Sequence, residues 1–177
     1  MAVSTWNPVA KLFHWGMAVL IAYQLWLGWQ AEELPFSPKK IDLFITHKSI
    51  GLMLLLLVFL RLGWRGIKAR PPHDANASRL ERGLADWGHR LLYALLIAVP
   101  VTGWWISDTS RIPFKLFGEV PVPDLMDADK ASSELAASVH EFLTISLVVL
   151  VGVHVLAALR HHFLLKNDTL KRMLPWR

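Results

Sequence analysis

Histidines are the residues of this chain best suited to metal or redox chemistry, and two of them share one apolar segment. His140 and His154 are fourteen residues apart. This spacing is almost four turns of an α-helix, so both imidazoles project from nearly the same face, about 21 Å apart along the axis. That distance is most of the hydrocarbon thickness of a bilayer. Two further histidines, His14 and His47, each lie near one end of another apolar segment.

Long uncharged runs indicate that these histidines are carried on membrane helices. Asp, Glu, Lys and Arg are absent from residues 12–30, 49–60, 91–107 and 142–159. With their polar flanks these runs approach the roughly 20 residues that a transmembrane helix needs, and in lipid the backbone must bond internally. We therefore predict an all-α membrane protein whose 177 residues form one four-transmembrane-helix bundle. The predicted helices span 9–31, 43–66, 84–107 and 135–163.

Two features of composition narrow the class further. The first apolar run is longer than a signal-peptide core and rich in Trp and Tyr, so we interpret it as a span and not as a cleaved secretory signal. The sequence has no cysteine. This excludes disulfides, cysteine-ligated iron–sulfur clusters and the covalent attachment of c-type haem.

The distribution of Lys and Arg predicts the orientation of the bundle. With four spans both termini lie on one side, and that side carries thirteen of the basic residues against six on the other. The positive-inside rule then places both termini in the cytoplasm. The net charge of +5 follows from this asymmetry and requires no nucleic-acid partner. The long proline-rich and acidic loop at 108–134 is expected to cover the outer face.

The depth of each histidine pairs the four candidates. His14 and His154 lie towards the cytoplasmic ends of their helices, whereas His47 and His140 lie towards the outer ends. Two histidine pairs at two depths are the arrangement of two bis-imidazole haem sites, one in each leaflet. Because two imidazoles saturate the iron, such sites favour electron transfer over oxygen binding. We predict two non-covalent b-type haems, with His14, His154, His47 and His140 as the axial ligands of the iron.

Other polar residues near the predicted sites each have more than one candidate role. His89 is a rival inner ligand, with a propionate or quinone contact as the alternative. Lys48 and Arg61 are candidates for contacts with haem propionates or with quinone, and an interfacial ion pair or snorkelling to the lipid surface explains them equally well. His161 and His162 suit snorkelling at the inner surface, and His73 lies in a loop with no specific role expected.

Several motifs, in order, resemble one family over essentially the whole chain: Phe13-His14-Trp15, His47-Lys48-Ser49-Ile50-Gly51, Arg61-Leu62-Gly63-Trp64-Arg65, Gly88-His89, His161-His162-Phe163 and Asn167-Asp168-Thr169-Leu170-Lys171-Arg172-Met173. They resemble the bacterial cytochrome b561 family of small di-haem proteins of the inner membrane. The resemblance implies two non-covalent b-type haems and exchange of electrons with the ubiquinone pool. The b-type subunits of nickel–iron hydrogenases look similar but usually serve a catalytic partner.

The resemblance leaves three functions to weigh. The first is a quinone-linked transmembrane oxidoreductase whose donor is superoxide, as in one branch of the family, or a periplasmic redox protein. An anion such as superoxide needs a positively charged entrance on the outer side. That side carries the cations Lys39, Lys40, Lys48, Arg111 and Lys115 but also eight acidic residues, so its net charge is not positive. The second is a non-enzymatic electron carrier or membrane anchor for a separate redox protein. The third, a metal or proton transporter, is disfavoured because transport sites usually add carboxylates deep in the membrane.

Overall fold

Four long helices make up most of the protein. The structure is a computed structural model that describes residues 5–68, 71–72, 74, 77–110 and 114–175. Its helices are α1 (Pro8–Glu33), α2 (Pro38–Ile67), α3 (Arg79–Thr109) and α4 (Lys130–Phe163), and two short antiparallel strands are β1 (Lys115–Leu116) and β2 (Val120–Pro121). The prediction of a helical protein is confirmed. His73 and Arg111 lie outside the described residues. So do Arg70 and Arg177, which are two of the thirteen basic residues counted on the cytoplasmic side.

Each helix begins before its apolar run because a capping residue precedes it. The side chains of Asn7 and Ser37 accept backbone N–H groups of the first turns of α1 and α2, and a proline follows each cap. Ser78 and Glu81 form a reciprocal capping box at the start of α3, and Asp129 caps α4. Such caps satisfy N–H groups that have no partner inside the helix. Helices α2, α3 and α4 therefore begin five residues earlier than predicted, within polar sequence.

The helix surfaces are apolar and exposed. Leu12, Phe142 and Leu156 are 74 %, 68 % and 67 % exposed, and many other large apolar side chains are similarly open. A surface of this kind is suited to lipid and not to water. Within the part of the chain that the structure describes, α2, α3 and α4 are long and apolar enough to cross a membrane.

Helices that follow one another in the chain pack together. α1 lies against α2, α2 against α3, and α3 against α4. The apolar core between α1 and α2 is formed by Leu27, Ile50 and Leu54. α4 is the least buried of the three apolar helices, with Ala136 and Leu147 as its buried residues. Most of the α4 surface is therefore left to meet lipid or other groups.

One end of the bundle, here called the hairpin end, is covered by a cap segment of residues 114–129. This segment contains the two strands and a turn at Phe117 and Gly118, whose φ angles are 50° and 81°. The Phe117 N–H donates to the hydroxyl of the fully buried Ser49 on α2 at 2.7 Å. The Leu125 N–H donates to the carboxylate of the buried Asp108 on α3 at 2.9 Å. The cap segment is thus fixed to both α2 and α3.

The opposite end, here called the terminal end, is closed by the chain after α4. A short 3₁₀ turn at Lys171–Met173 lies over the beginning of α1. The Trp15 indole N–H donates to the Met173 carbonyl at 2.9 Å, and the Trp6 N–H donates to the Arg172 carbonyl at 3.3 Å. The tail therefore folds back onto the helix that carries His14.

We expect Ser49→Ala to loosen the cap segment. The substitution leaves the Phe117 N–H without its acceptor and should lower the free energy of unfolding by about 1 kcal/mol. Thermal unfolding in detergent measures the change. Ser138→Ala is the matched control, because the exposed Ser138 hydroxyl donates only to the Glu134 carbonyl of its own helix. Equal melting temperatures for the two variants would contradict the anchoring role.

Candidate functional site

At the hairpin end, the structure brings together His47 of α2 and His140 of α4. Their ring centres are 6.4 Å apart, and the ring planes are nearly perpendicular at 79°. Both rings are partly buried between helices that do not otherwise pack closely. The two histidines paired by depth in the sequence thus face one another across the bundle.

A neighbouring helix holds each of these rings through a backbone carbonyl. His47 Nδ1 is 3.2 Å from the Gln24 carbonyl oxygen of α1, and His140 Nδ1 is 3.0 Å from the Val99 carbonyl oxygen of α3. A carbonyl only accepts, so we assign the proton to each Nδ1. The Thr102 hydroxyl also lies 3.1 Å from His140 Nδ1, and because it donates to the carbonyls of Ala98 and Val99 it can accept from the ring. Each Nε2 is then the free lone pair that a metal binds, which is the usual arrangement for metal-ligating histidine.

Three histidines meet at the terminal end. The rings of His14 on α1 and His154 on α4 have centres 6.2 Å apart, with an angle of 58° between their planes. The ring of His89 on α3 is closer still to His154, at 5.6 Å. His89 Nδ1 lies 2.6 Å from the Ala85 carbonyl oxygen. The residue that the sequence suggested as a rival inner ligand is therefore part of the same cluster.

The hydrogen bond of His14 differs from those of His47, His140 and His89, whose Nδ1 atoms lie near backbone carbonyls. The Arg61 guanidinium lies 3.2 Å from His14 Nδ1, and a guanidinium only donates. His14 Nδ1 is therefore the acceptor, and a neutral ring carries its proton on Nε2. To bind a metal through Nε2, His14 must give up the Arg61 bond and take the other tautomer.

The spacing of both pairs fits bis-imidazole ligation. An imidazole nitrogen binds a metal at about 2 Å and its ring centre lies about 1 Å further back, so two rings on opposite sides of one ion have centres about 6 Å apart. The observed separations are 6.4 Å and 6.2 Å. Among the described residues, no group of three or more His, Cys, Asp or Glu side chains forms a conventional metal site. The histidines present therefore fit haem iron at both ends of the bundle.

Cationic side chains lie near both sites. At the hairpin end, the Lys48 ammonium donates to the Ser107 hydroxyl at 3.1 Å and lies 5.6 Å from the centre of the Phe114 ring. At the terminal end, Arg61 and Arg65 lie 5.5 Å and 5.3 Å from the centre of the Tyr93 ring. Each histidine pair thus has a nearby cation able to bind a carboxylate such as a haem propionate.

Several functional contacts were not predicted from the sequence. The carbonyl oxygens of Gln24 and Val99 have no sequence signature, because every residue carries a carbonyl. The uncharged but polar Gln24 within an apolar run was the one available signal. The sequence analysis also missed a contact of His161: its Nδ1 accepts from the Asn167 side-chain amide at 2.8 Å, which joins α4 to the tail.

Comparison with known proteins agrees with this geometry. The family described as "Prokaryotic cytochrome b561" matches residues 5–176. "Cytochrome b561 homolog 2" of Escherichia coli is 35% identical over 96% of this chain and 90% of its own length. "Probable superoxide oxidase CybB" of Yersinia pestis is 33% identical over 92% of this chain and 91% of its own length. "Cytochrome b561 homolog 1" of Escherichia coli is 26% identical over 93% of each chain.

The match over nearly the whole chain confirms the resemblance drawn from the sequence motifs. It also agrees with the helical bundle and its exposed apolar surface. The chain belongs to the prokaryotic cytochrome b561 family, whose members are helical membrane proteins that bind b-type haem and transfer electrons.

Proposed function

We propose that this protein is a di-haem cytochrome of the bacterial inner membrane that moves electrons between an outer donor or acceptor and the ubiquinone pool. The observation that carries the proposal is the presence of two facing histidine pairs, each sharing α4, with ring centres 6.4 Å and 6.2 Å apart. On α4 the two proposed ligands are about 21 Å apart along the axis, which supports one pair in each leaflet.

The proposed topology has four spans and both termini in the cytoplasm. α1 is 26 residues long, enough to cross the bilayer, and residues 12–30 within it include no Asp, Glu, Lys or Arg. The excess of Lys and Arg at the terminal end supports this orientation. The hairpin end then faces the periplasm, and the single bundle of residues 1–177 lies in the inner membrane, surrounded by lipid.

We assign His47 and His140 to the outer haem, and His14 and His154 to the inner haem. The His14–His154 separation of 6.2 Å matches two rings on one iron better than the 5.6 Å between His89 and His154. With His14 holding the proposed haem through Nε2, the Arg61 guanidinium would be available to a propionate or to quinone. His89 is assigned the same supporting role at the inner site, and Lys48 at the outer site.

The residues of the chain do three things in this mechanism. Bound haem b supplies an iron that gains and loses one electron. His47 and His140 would hold one haem and His14 and His154 the other, and ligation by two imidazoles would favour transfer of electrons over binding of oxygen. α4 carries one ligand of each pair and so fixes the separation of the two sites. Arg61 and His89 bring positive charge and a proton-carrying imidazole to the inner site, where quinone takes up two electrons and two protons.

Superoxide is the electron donor that the name of one relative supports. The Yersinia pestis relative is named as a probable superoxide oxidase. In such a reaction two superoxide anions yield two dioxygen molecules and two electrons, and ubiquinone takes these electrons with two protons to form ubiquinol. Lys48 at the outer site supplies positive charge for an anionic donor. The second candidate is an electron carrier or membrane anchor for a separate redox protein, which the acidic outer surface favours.

Alanine at each axial ligand tests the assignment of the two sites. We expect His47→Ala and His140→Ala each to remove the outer haem and leave one haem per chain, because a single imidazole holds the iron poorly. His14→Ala and His154→Ala should both remove the inner haem. Haem content and redox titration of each purified variant provide the measurement. The assignment is wrong if the two members of a pair lose different haems or if either variant retains both.

His89 is the control within the inner cluster. We expect His89→Ala to retain two haems, whereas the double variant Arg61→Ala/His89→Ala should slow reduction of a soluble ubiquinone analogue by about tenfold, as loss of supporting contacts commonly does. Stopped-flow absorbance of the pre-reduced protein measures this rate. Loss of the inner haem in His89→Ala would make His89 the ligand in place of His14. Unchanged kinetics in the double variant would remove both residues from the quinone site.

Rapid mixing with superoxide distinguishes the two candidate functions. An oxidoreductase is expected to form ubiquinol when superoxide is supplied to the isolated protein, and Lys48→Met should lower the rate by about tenfold because the local positive charge concentrates the anion. Lys39→Met, which removes an exposed charge at the same end, is the control and should have a smaller effect. No ubiquinol formation in fully haem-loaded protein would favour the carrier or anchor.

A further inference from the structure

His47 and His140, the outer pair, are each held by the same kind of contact with the preceding helix. His47 reaches the Gln24 carbonyl oxygen of the preceding helix α1, and His140 reaches the Val99 carbonyl oxygen of the preceding helix α3. In each case a glycine lies four residues after the carbonyl, Gly28 in α1 and Gly103 in α3. Residues four apart share one face of a helix, so the ring must pass over the position of the glycine.

The glycines leave only enough room for the rings. A Cβ atom at Gly28 would lie 3.0 Å from His47 Cε1 and 3.3 Å from its Nδ1, and a Cβ atom at Gly103 would lie 3.2 Å from His140 Cε1. Distances this short require the ring to move. By contrast, a Cβ atom at Gly63 or Gly66 would have nothing within 4 Å. Close approach is therefore specific to the glycines beside the outer histidines.

Gln24 makes a second hydrogen bond between α1 and α2, and this bond also passes close to a glycine. Its side-chain Nε2 donates to the His47 carbonyl oxygen at 2.7 Å. The residue four positions after that carbonyl is Gly51, whose added Cβ atom would lie 3.2 Å from Gln24 Nε2. Gln24 and His47 thus each use the backbone carbonyl of the other, and each contact passes over a glycine. These two hydrogen bonds fix the position of α1 relative to α2 along their axes at the level of His47.

The inner pair has no such arrangement at the glycines nearest to it. An added Cβ atom at Gly16 or Gly152, each two residues from an inner ligand, would have nothing within 4 Å. The nitrogen Nδ1 of His14 is bound by the mobile end of a long side chain, Arg61, and not by a backbone carbonyl. The combination of a backbone carbonyl and a glycine beside the histidine ring is therefore a feature of the outer site.

We propose that the carbonyl–glycine pairs Gln24–Gly28, His47–Gly51 and Val99–Gly103 fix the tautomer and the ring planes of the outer haem ligands, with Gln24 and the three glycines acting as positioning residues. This inference rests on the proposed function, in which His47 and His140 bind the outer haem. Its consequence is that the near-perpendicular ring planes, at 79°, are built into the protein before haem binds.

Alanine at Gly28 and at Gly103 tests the inference. Each added methyl group should turn the adjacent ring away from its carbonyl, changing the angle between the axial imidazoles. The electron paramagnetic resonance spectrum of a low-spin ferric haem depends on that angle, so the outer-haem signal should shift while the inner-haem signal stays the same. Loss of the outer haem to apomyoglobin should become about tenfold faster, the usual effect of disturbing a partner of a metal ligand. Gly66→Ala is the control and should match the wild type.

Gln24→Leu provides a second route if an alanine variant fails to fold. Leucine has a similar size but cannot donate to the His47 carbonyl, so the outer-haem signal and midpoint potential should change without any change at the inner haem. Wild-type spectra and haem-loss rates in both Gly28→Ala and Gln24→Leu would overturn the inference. Failure of the proposed function would give a different result. If His47 is not a haem ligand, the His47→Ala variant retains the haem that we assign to the outer site.

Discussion

An imidazole in a membrane must have a partner for each of its two nitrogens, and the architecture of this protein depends on that constraint. In lipid there is no water to complete a missing hydrogen bond, so an unpaired polar nitrogen is costly. The outer histidines meet half of the requirement with the carbonyls of Gln24 and Val99. The ring of the opposite histidine lies 6.4 Å away, centre to centre, which leaves the other nitrogen of each ring for the iron of the proposed haem. The helices therefore set the ring positions before haem binds.

The loose packing of α4 fits the same requirement. α4 packs along α3 and is little buried by other protein, and its free face leaves room for the two haems that we propose. Stability must come from elsewhere. α1 and α2 form an apolar core. The cap segment is fastened to the hairpin end through buried Ser49 and Asp108, and the tail is fastened to the terminal end through the Trp15 indole.

Much of this arrangement was predictable because it depends on helical periodicity and residue type. The uncharged runs indicated the helices, and the fourteen-residue spacing on α4 predicted which histidines lie on one face. The helix starts were predicted too late because caps such as Ser37 and Asp129 allow polar residues to be helical. The carbonyl contacts were hidden because backbone groups are the same in every residue. The approach of His89 to His154 depends on how α3 packs, which local sequence does not determine.

The central claim is that the two facing histidine pairs each hold one b-type haem. Quantifying haem per chain in the purified protein, with visible spectra recorded after air oxidation and after reduction with dithionite, tests it most directly. The account predicts two low-spin haems of the b type per chain. A single haem would mean that one pair has another role, and no haem in protein produced with ample haem supply would contradict the account altogether.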